Sequence, residues 1–98
     1  MDNQFHSIFV DNSRGIGFML SDAHDTYQAA WTSFLEYSKS LDYDIFFVRC
    51  TTEENGAICH DFGSHVHFLY VYEGTHEEAA KYLRELITKI WQIRKFML

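Results

Sequence analysis

The chain reads as an α+β domain, a two-layer sandwich in the order β-β-α-β-β-β-α, with an antiparallel sheet and the helices mainly on one face. Three observations lead there. Short apolar segments separated by turn residues mark five strands, and two longer segments carry apolar residues at helical spacing. The turns between consecutive strands are too short for parallel crossovers, which need a dozen or more residues. The 98 residues, none of them proline, leave room for a single domain, 1–98, with one core and no rigid linker.

The elements follow in order. Residues 5–10 (FHSIFV) have strand composition, and the cluster Asp11, Asn12, Ser13, Arg14 and Gly15 turns into a second strand over 16–20. Ser21 and Asp22 are suitable N-caps for an amphipathic helix over about 22–41, whose apolar stripe is Ala23, Tyr27, Ala30, Trp31, Phe34 and Leu41. Residues 45–50 (IFFVRC) read as a strand, Asn55-Gly56 as a hairpin turn and 57–62 as the returning strand. A two-residue turn there sets Cys50 opposite Asp61, whereas a four-residue loop sets it opposite Cys59. Gly63-Ser64 turns once more into a strand over 65–72. Thr75 and Glu78 have the spacing of a capping box, just ahead of Ala79, Leu83, Leu86, Ile87, Ile90 and Trp91, so a long final helix follows. Acidic Glu77 and Glu78 at its start and basic Arg94 and Lys95 at its end complement the helix dipole.

Residues 22–97 have the α-β-β-β-α order of a double-stranded-RNA-binding domain, and EEAAKYLRELI has the apolar spacing of that family's last helix. The resemblance implies a fold and not the function. That family sets lysines at the start of the last helix to hold phosphates, where this chain has Thr75, His76, Glu77 and Glu78.

Charge argues the same way. The net charge of −6 disfavours direct binding to nucleic acid or to an acidic membrane surface, since both are drawn by Lys and Arg. The charge is also unevenly placed. Residues 1–80 hold thirteen Asp and Glu against Arg14, Lys39 and Arg49, a balance of −10, and residues 81–98 hold Glu85 against five basic residues, a balance of +4. An acidic body attracts a basic partner, and nucleic-acid-binding proteins are the commonest of these. MDNQFHSIF has neither the basic start nor the apolar stretch of a secretory signal, and no apolar run reaches membrane-span length, so a cytoplasmic protein is expected. Cys50 and Cys59 lie in strand-like apolar context, where reduced, buried thiols are the default.

Alternation in the strands assigns faces. In 65–72, Val66, Phe68, Tyr70 and Tyr72 oppose His65, His67, Leu69 and Val71, and in 45–50 the set Ile45, Phe47 and Arg49 opposes Phe46, Val48 and Cys50. Both faces are partly apolar. With the helices on one face, the other exposes Ile45, Phe47, Leu69 and Val71, a patch of the kind that contacts a partner. The final IWQIRKFML surrounds its helix with more apolar residues than one stripe uses, which either self-association or a tucked end would satisfy. A homodimer would form through the sheet face or this helix.

CHDFGSHVH, residues 59–67, is the one stretch that suggests metal chemistry. A two-residue turn at Gly63-Ser64 pairs His60 with His67 and puts His60, His65 and His67 on one face, similar locally to the three-histidine zinc sites of carbonic anhydrase type. A three-residue loop would instead bring Cys59 and Asp61 beside His65 and His67. Asp61 and Glu73 are the nearby acceptors that could orient such ligands. No catalytic motif stands out, because adjacent Cys59 and His60 point to opposite faces. The leading expectation is a non-enzymatic module without cofactor that docks Glu53, Glu54, Glu73, Glu77, Glu78, Ile45, Phe47 and Leu69 on a basic partner. In size and charge it is similar to anti-CRISPR, immunity and antitoxin inhibitors. The alternative is a zinc or other divalent-metal protein, or a small metal-dependent enzyme, built on His60, His65 and His67.

Overall fold

The computed structural model describes residues 4–20, 23–40, 50–54, 56–62 and 66–97, and the side chains of all these except Cys50, Glu54 and residues 94–97. The elements are β1 (Gln4–Asp11), β2 (Ile16–Met19), α1 (Tyr27–Ser38), β3 (Cys50–Glu54), β4 (Ala57–Asp61), β5 (His67–Gly74) and α2 (His76–Met97). The α+β class and the β-β-α-β-β-β-α order are as the sequence reads. The strands form one antiparallel sheet in the order β2-β1-β5-β4-β3. Thus the β1–β2 hairpin and the β3-β4-β5 meander are joined at the centre, where β1 pairs with β5 along its whole length, from Gln4 opposite Gly74 to Asp11 opposite His67.

The helices do not share a face, and this corrects the expected two-layer arrangement. Phe9, Leu69 and Val71 of the sheet pack with Ala30 and Phe34 of α1. Ile8, Val10, Ala57, Cys59 and Tyr70 point the other way and pack with Tyr82 and Leu86 of α2. The sheet is therefore the middle of three layers. The reason lies in β1 and β5, whose odd and even residues are both apolar. A sheet with two apolar faces loses stability unless both are covered. Topology assigns the helices: the chain leaves β2 at one edge and re-enters as β3 at the other, so α1 lies across the sheet between them.

Local chemistry sets the element ends. α1 begins at Tyr27 rather than near 22, because His24 is held as an extended bridge to Phe5 (Phe5 N to His24 O 2.7 Å; His24 N to Phe5 O 2.9 Å). Thr26 then supplies the cap, its hydroxyl accepting from Ala29 N at 3.1 Å. The capping box of α2 forms as its spacing predicts: Glu78 N donates to Thr75 Oγ1 at 3.1 Å, and Thr75 N donates to the Glu78 carboxylate at 2.9 Å. That backbone donor first, and the Thr75 side chain with it, hold the Glu78 pKa below the usual carboxylate value. Glu54 pairs with Ala57 across the two-residue turn, in which Gly56 takes φ +89°, and Cys50 falls opposite Asp61. Gly17 serves differently. A Cβ there would sit 3.3 Å from Leu83 Cδ1, so its absence lets α2 approach β2 closely.

The final helix outruns the layer that it covers. Its 22 residues span about 33 Å, whereas the eight residues of β5 span about 26 Å. Ile90 still packs on the core, but Trp91 and Ile93 are 50% and 60% exposed. Among the described side chains, Ile90 is the last of the C-terminal stretch placed against the core. No described helix is long and apolar enough to cross a membrane.

Candidate functional site

Helix α2 lies over β2, β1 and β5 and helix α1 over β1 and β5. Both reach β4 through side chains, α1 through Tyr27 and Trp31 at His60 and α2 through the core that Tyr82 and Leu86 form with Ala57 and Cys59. Among the described residues neither helix packs over β3. Within the β3–β4 hairpin, β4 is thus held between the layers and β3 is the uncovered, outermost strand of the described sheet. Its consecutive residues Thr51, Thr52 and Glu53 are all exposed. Successive strand residues point to opposite faces, so both faces of β3 are open.

This hairpin turns at the same end of the sheet where β5 finishes and α2 starts. Ala57 pairs with Tyr72, which places the Glu54-to-Ala57 turn beside Glu73. Glu53 pairs with Ile58, which pairs with Val71, so Glu53 and Glu73 belong to the face that carries α1. Glu77 and Glu78 follow on the first turn of α2. Glu53, Glu73, Glu77 and Glu78 are exposed, and among the described residues none of them is in an ion pair. The structure brings these four residues to one end. Glu54 has its backbone in β3.

The apolar half of the expected contact surface is not there. Leu69 and Val71 are 0% and 2% exposed beneath α1, so they belong to the core. The helix expected on the other face covers them. Ile45 and Phe47 lie outside the described residues.

The histidines of CHDFGSHVH are likewise divided. Strands β4 and β5 close with Asp61 opposite Phe68 and Phe62 N donating to His67 O at 3.2 Å, so His60 faces Leu69 rather than His67. The shift from a two-residue Gly63-Ser64 register is even, and His60 and His67 keep a common face, offset diagonally. His60 is 3% exposed, and both its ring nitrogens are engaged. Nδ1 donates to the Leu69 carbonyl at 3.0 Å, which leaves Nε2 to accept from the Tyr27 hydroxyl. The Trp31 ring lies 4.8 Å away, and Trp31 stacks in turn on Phe62. Burial pushes the His60 pKa below the ordinary imidazole value, partly opposed by the Leu69 carbonyl, and burial raises that of Tyr27. His60 is thus a neutral pin between β4 and α1.

His67 stacks on Phe9, with ring planes 9° apart, and its Nε2 lies 3.6 Å from the Asp11 carboxylate. His65 lies outside the described residues. Among the described residues no three His, Cys, Asp or Glu side chains converge as a metal-binding group. Asp11, 2% exposed, is the anchor of the β1–β2 turn, accepting from Ser13 N at 2.9 Å and Ser13 Oγ at 2.6 Å. Burial alone would raise its pKa, but the donors from Ser13 and Arg14 and nearby His67 outweigh it and hold the value low. Sequence reasoning placed Asp11 in a turn but did not single out Tyr27, Trp31 or Asp11 as partners of the histidines. Tyr27 and Trp31 carried the available signal, standing four apart on one helical stripe.

The chain matches no family model, no curated protein and no solved structure with which it was compared.

Proposed function

We propose that this chain is a small, non-enzymatic protein-binding module of the cytoplasm, whose acidic end docks on the basic surface of a partner protein and inhibits or modulates it. A nucleic-acid-binding protein is the partner class that best matches this charge. The reading rests on one observation: exposed Glu53, Glu73, Glu77 and Glu78 gather at one end of the sheet, outside any described ion pair. Carboxylates left open in this way steer a basic surface to the molecule and fix its orientation, more than they add raw affinity.

The test compares the intact chain with a charge-reversed form carrying Glu53→Lys, Glu73→Lys and Glu77→Lys. Glu78 is left in place because it caps α2. Affinity capture from host extract at low and high salt should recover a basic protein with the first chain. The reversed chain should lose it, and so should rising salt. Equal recovery by both chains would sink the reading.

A further inference from the structure

The acidic end also contains an open strand edge, and it differs from the other edge of the sheet. On β2, α2 packs over one face through Leu83 beside Gly17, and Met19 joins the core on that side. Among the described residues neither helix packs over β3. Among the described residues the backbone of β3 pairs with β4 alone, so alternate N–H and C=O groups point away from the sheet. Open edges of this kind are templates for another strand, and proteins usually blunt them with short strands, charged side chains, above all lysine, proline or a bulge. The charges on β3 are both acidic, so they repel an acidic strand and admit a basic one. β3 has the sequence CTTEE, and its five residues pair with β4 in unbroken register. Thr51 and Thr52 favour extended structure.

We propose that the outer edge of β3 is a strand-addition site that takes an extended, lysine- and arginine-bearing segment of the partner protein. This rests on the acidic-end reading above and names the form of the partner. The backbone edge supplies the hydrogen bonds, and charge selects the occupant. A side chain opposite Glu53 on an added strand would have its Cβ about 5 Å away, so lysine or arginine there gains what a carboxylate would lose. A second copy of the chain is the wrong occupant, since each copy carries −6. Affinity from main-chain bonds with specificity from alternate side chains is the established physics of strand addition.

The test uses the full chain and a short blocked peptide of alternating threonine and lysine as probe, with a version N-methylated at alternate residues. Methylation removes strand hydrogen bonds and keeps the charge. Amide shifts of the free peptide complex should centre on Cys50–Glu54, and the methylated peptide should bind at least about tenfold more weakly, as expected for one or two lost hydrogen bonds. Equal binding of the two peptides, with shifts at Glu73 and Glu77 alone, would overturn the strand-addition proposal and leave the acidic-end reading standing. No binding by either peptide would overturn both. Concentration-dependent dimerisation through β3 without peptide would also overturn the proposal, because the edge would then belong to a second copy.

Discussion

The covered strands β1 and β5 and the uncovered strand β3 use the same period for opposite purposes. In β1 and β5 both faces are apolar, and the run from His6 to Asp11 is buried without a break. In β3 three consecutive residues are exposed and two of the five are glutamates. Each strand obeys the period of two, and what differs is what stands above and below. The comparison teaches that the helices, more than the strands, decide which part of this sheet is structure and which part is surface.

Substitutions can break that comparison or sharpen it. The largest loss is expected from Phe34→Ala, which empties the centre of the α1 layer where Phe34 is fully buried against Phe9 and Phe62. A stability loss of about 3–5 kcal/mol should appear in urea unfolding. Tyr27→Phe comes next, since it removes only the hydroxyl that His60 Nε2 accepts from. Stranding that buried acceptor should cost about 1–3 kcal/mol, read in the same way.

The same pair sets a pH dependence. The His60 pKa is held below its unfolded value, so above about pH 6.5 the stabilising effect is complete. As pH falls below that value the unfolded chain gains the proton first and stability declines, down to the folded-state pKa. Asp11 has the same sign: its lowered pKa means that its contribution is lost further into acid, below the ordinary carboxylate value. Thermal unfolding from pH 8 to pH 3 should show stability that falls with pH, the first decline weakened in a His60→Phe variant. Stability that rises on acidification would contradict both assignments.

Smaller effects complete the series. Thr75→Ala removes one side of the capping box and should cost about 1 kcal/mol, visible as earlier fraying of the first turn of α2 in amide exchange. Thr51→Ala, in the uncovered strand β3, should change stability by less than about 0.5 kcal/mol. If Thr51→Ala instead costs as much as Tyr27→Phe, the division of the sheet into covered strands and an uncovered β3 is wrong. Amide exchange offers an independent check, with protection in β1 and β5 exceeding that in β3.

Features set by neighbouring residues could be read directly. Asn55-Gly56 marked the hairpin, and of the two registers open to it the structure has the two-residue one, with Cys50 opposite Asp61. The capping box and the strand alternation are local in the same sense. The start of α1 was missed because His24 is drawn into a bridge by Phe5, nineteen positions away. Leu69 was misplaced because alternation shows that a face is apolar and not what covers it. His60 shows the limit most clearly: its nearest chain neighbours suggested metal ligands, while its nitrogens are bonded to Tyr27 and Leu69.

By itself the sequence determined the α+β class, the order of the elements, the hairpin at Gly56, the cap at Thr75 and the acidic balance of the body. These depend on period, turn chemistry and charge, which act over a few residues or are simply summed. Only the tertiary structure decided that α1 and α2 take opposite faces, that Leu69 is core, that His60 is a pin beneath Tyr27, and that Glu53, Glu73, Glu77 and Glu78 meet at one end of the sheet. Each of these requires strands from distant parts of the chain to pair first, and burial then follows from which surfaces the pairing leaves to be covered.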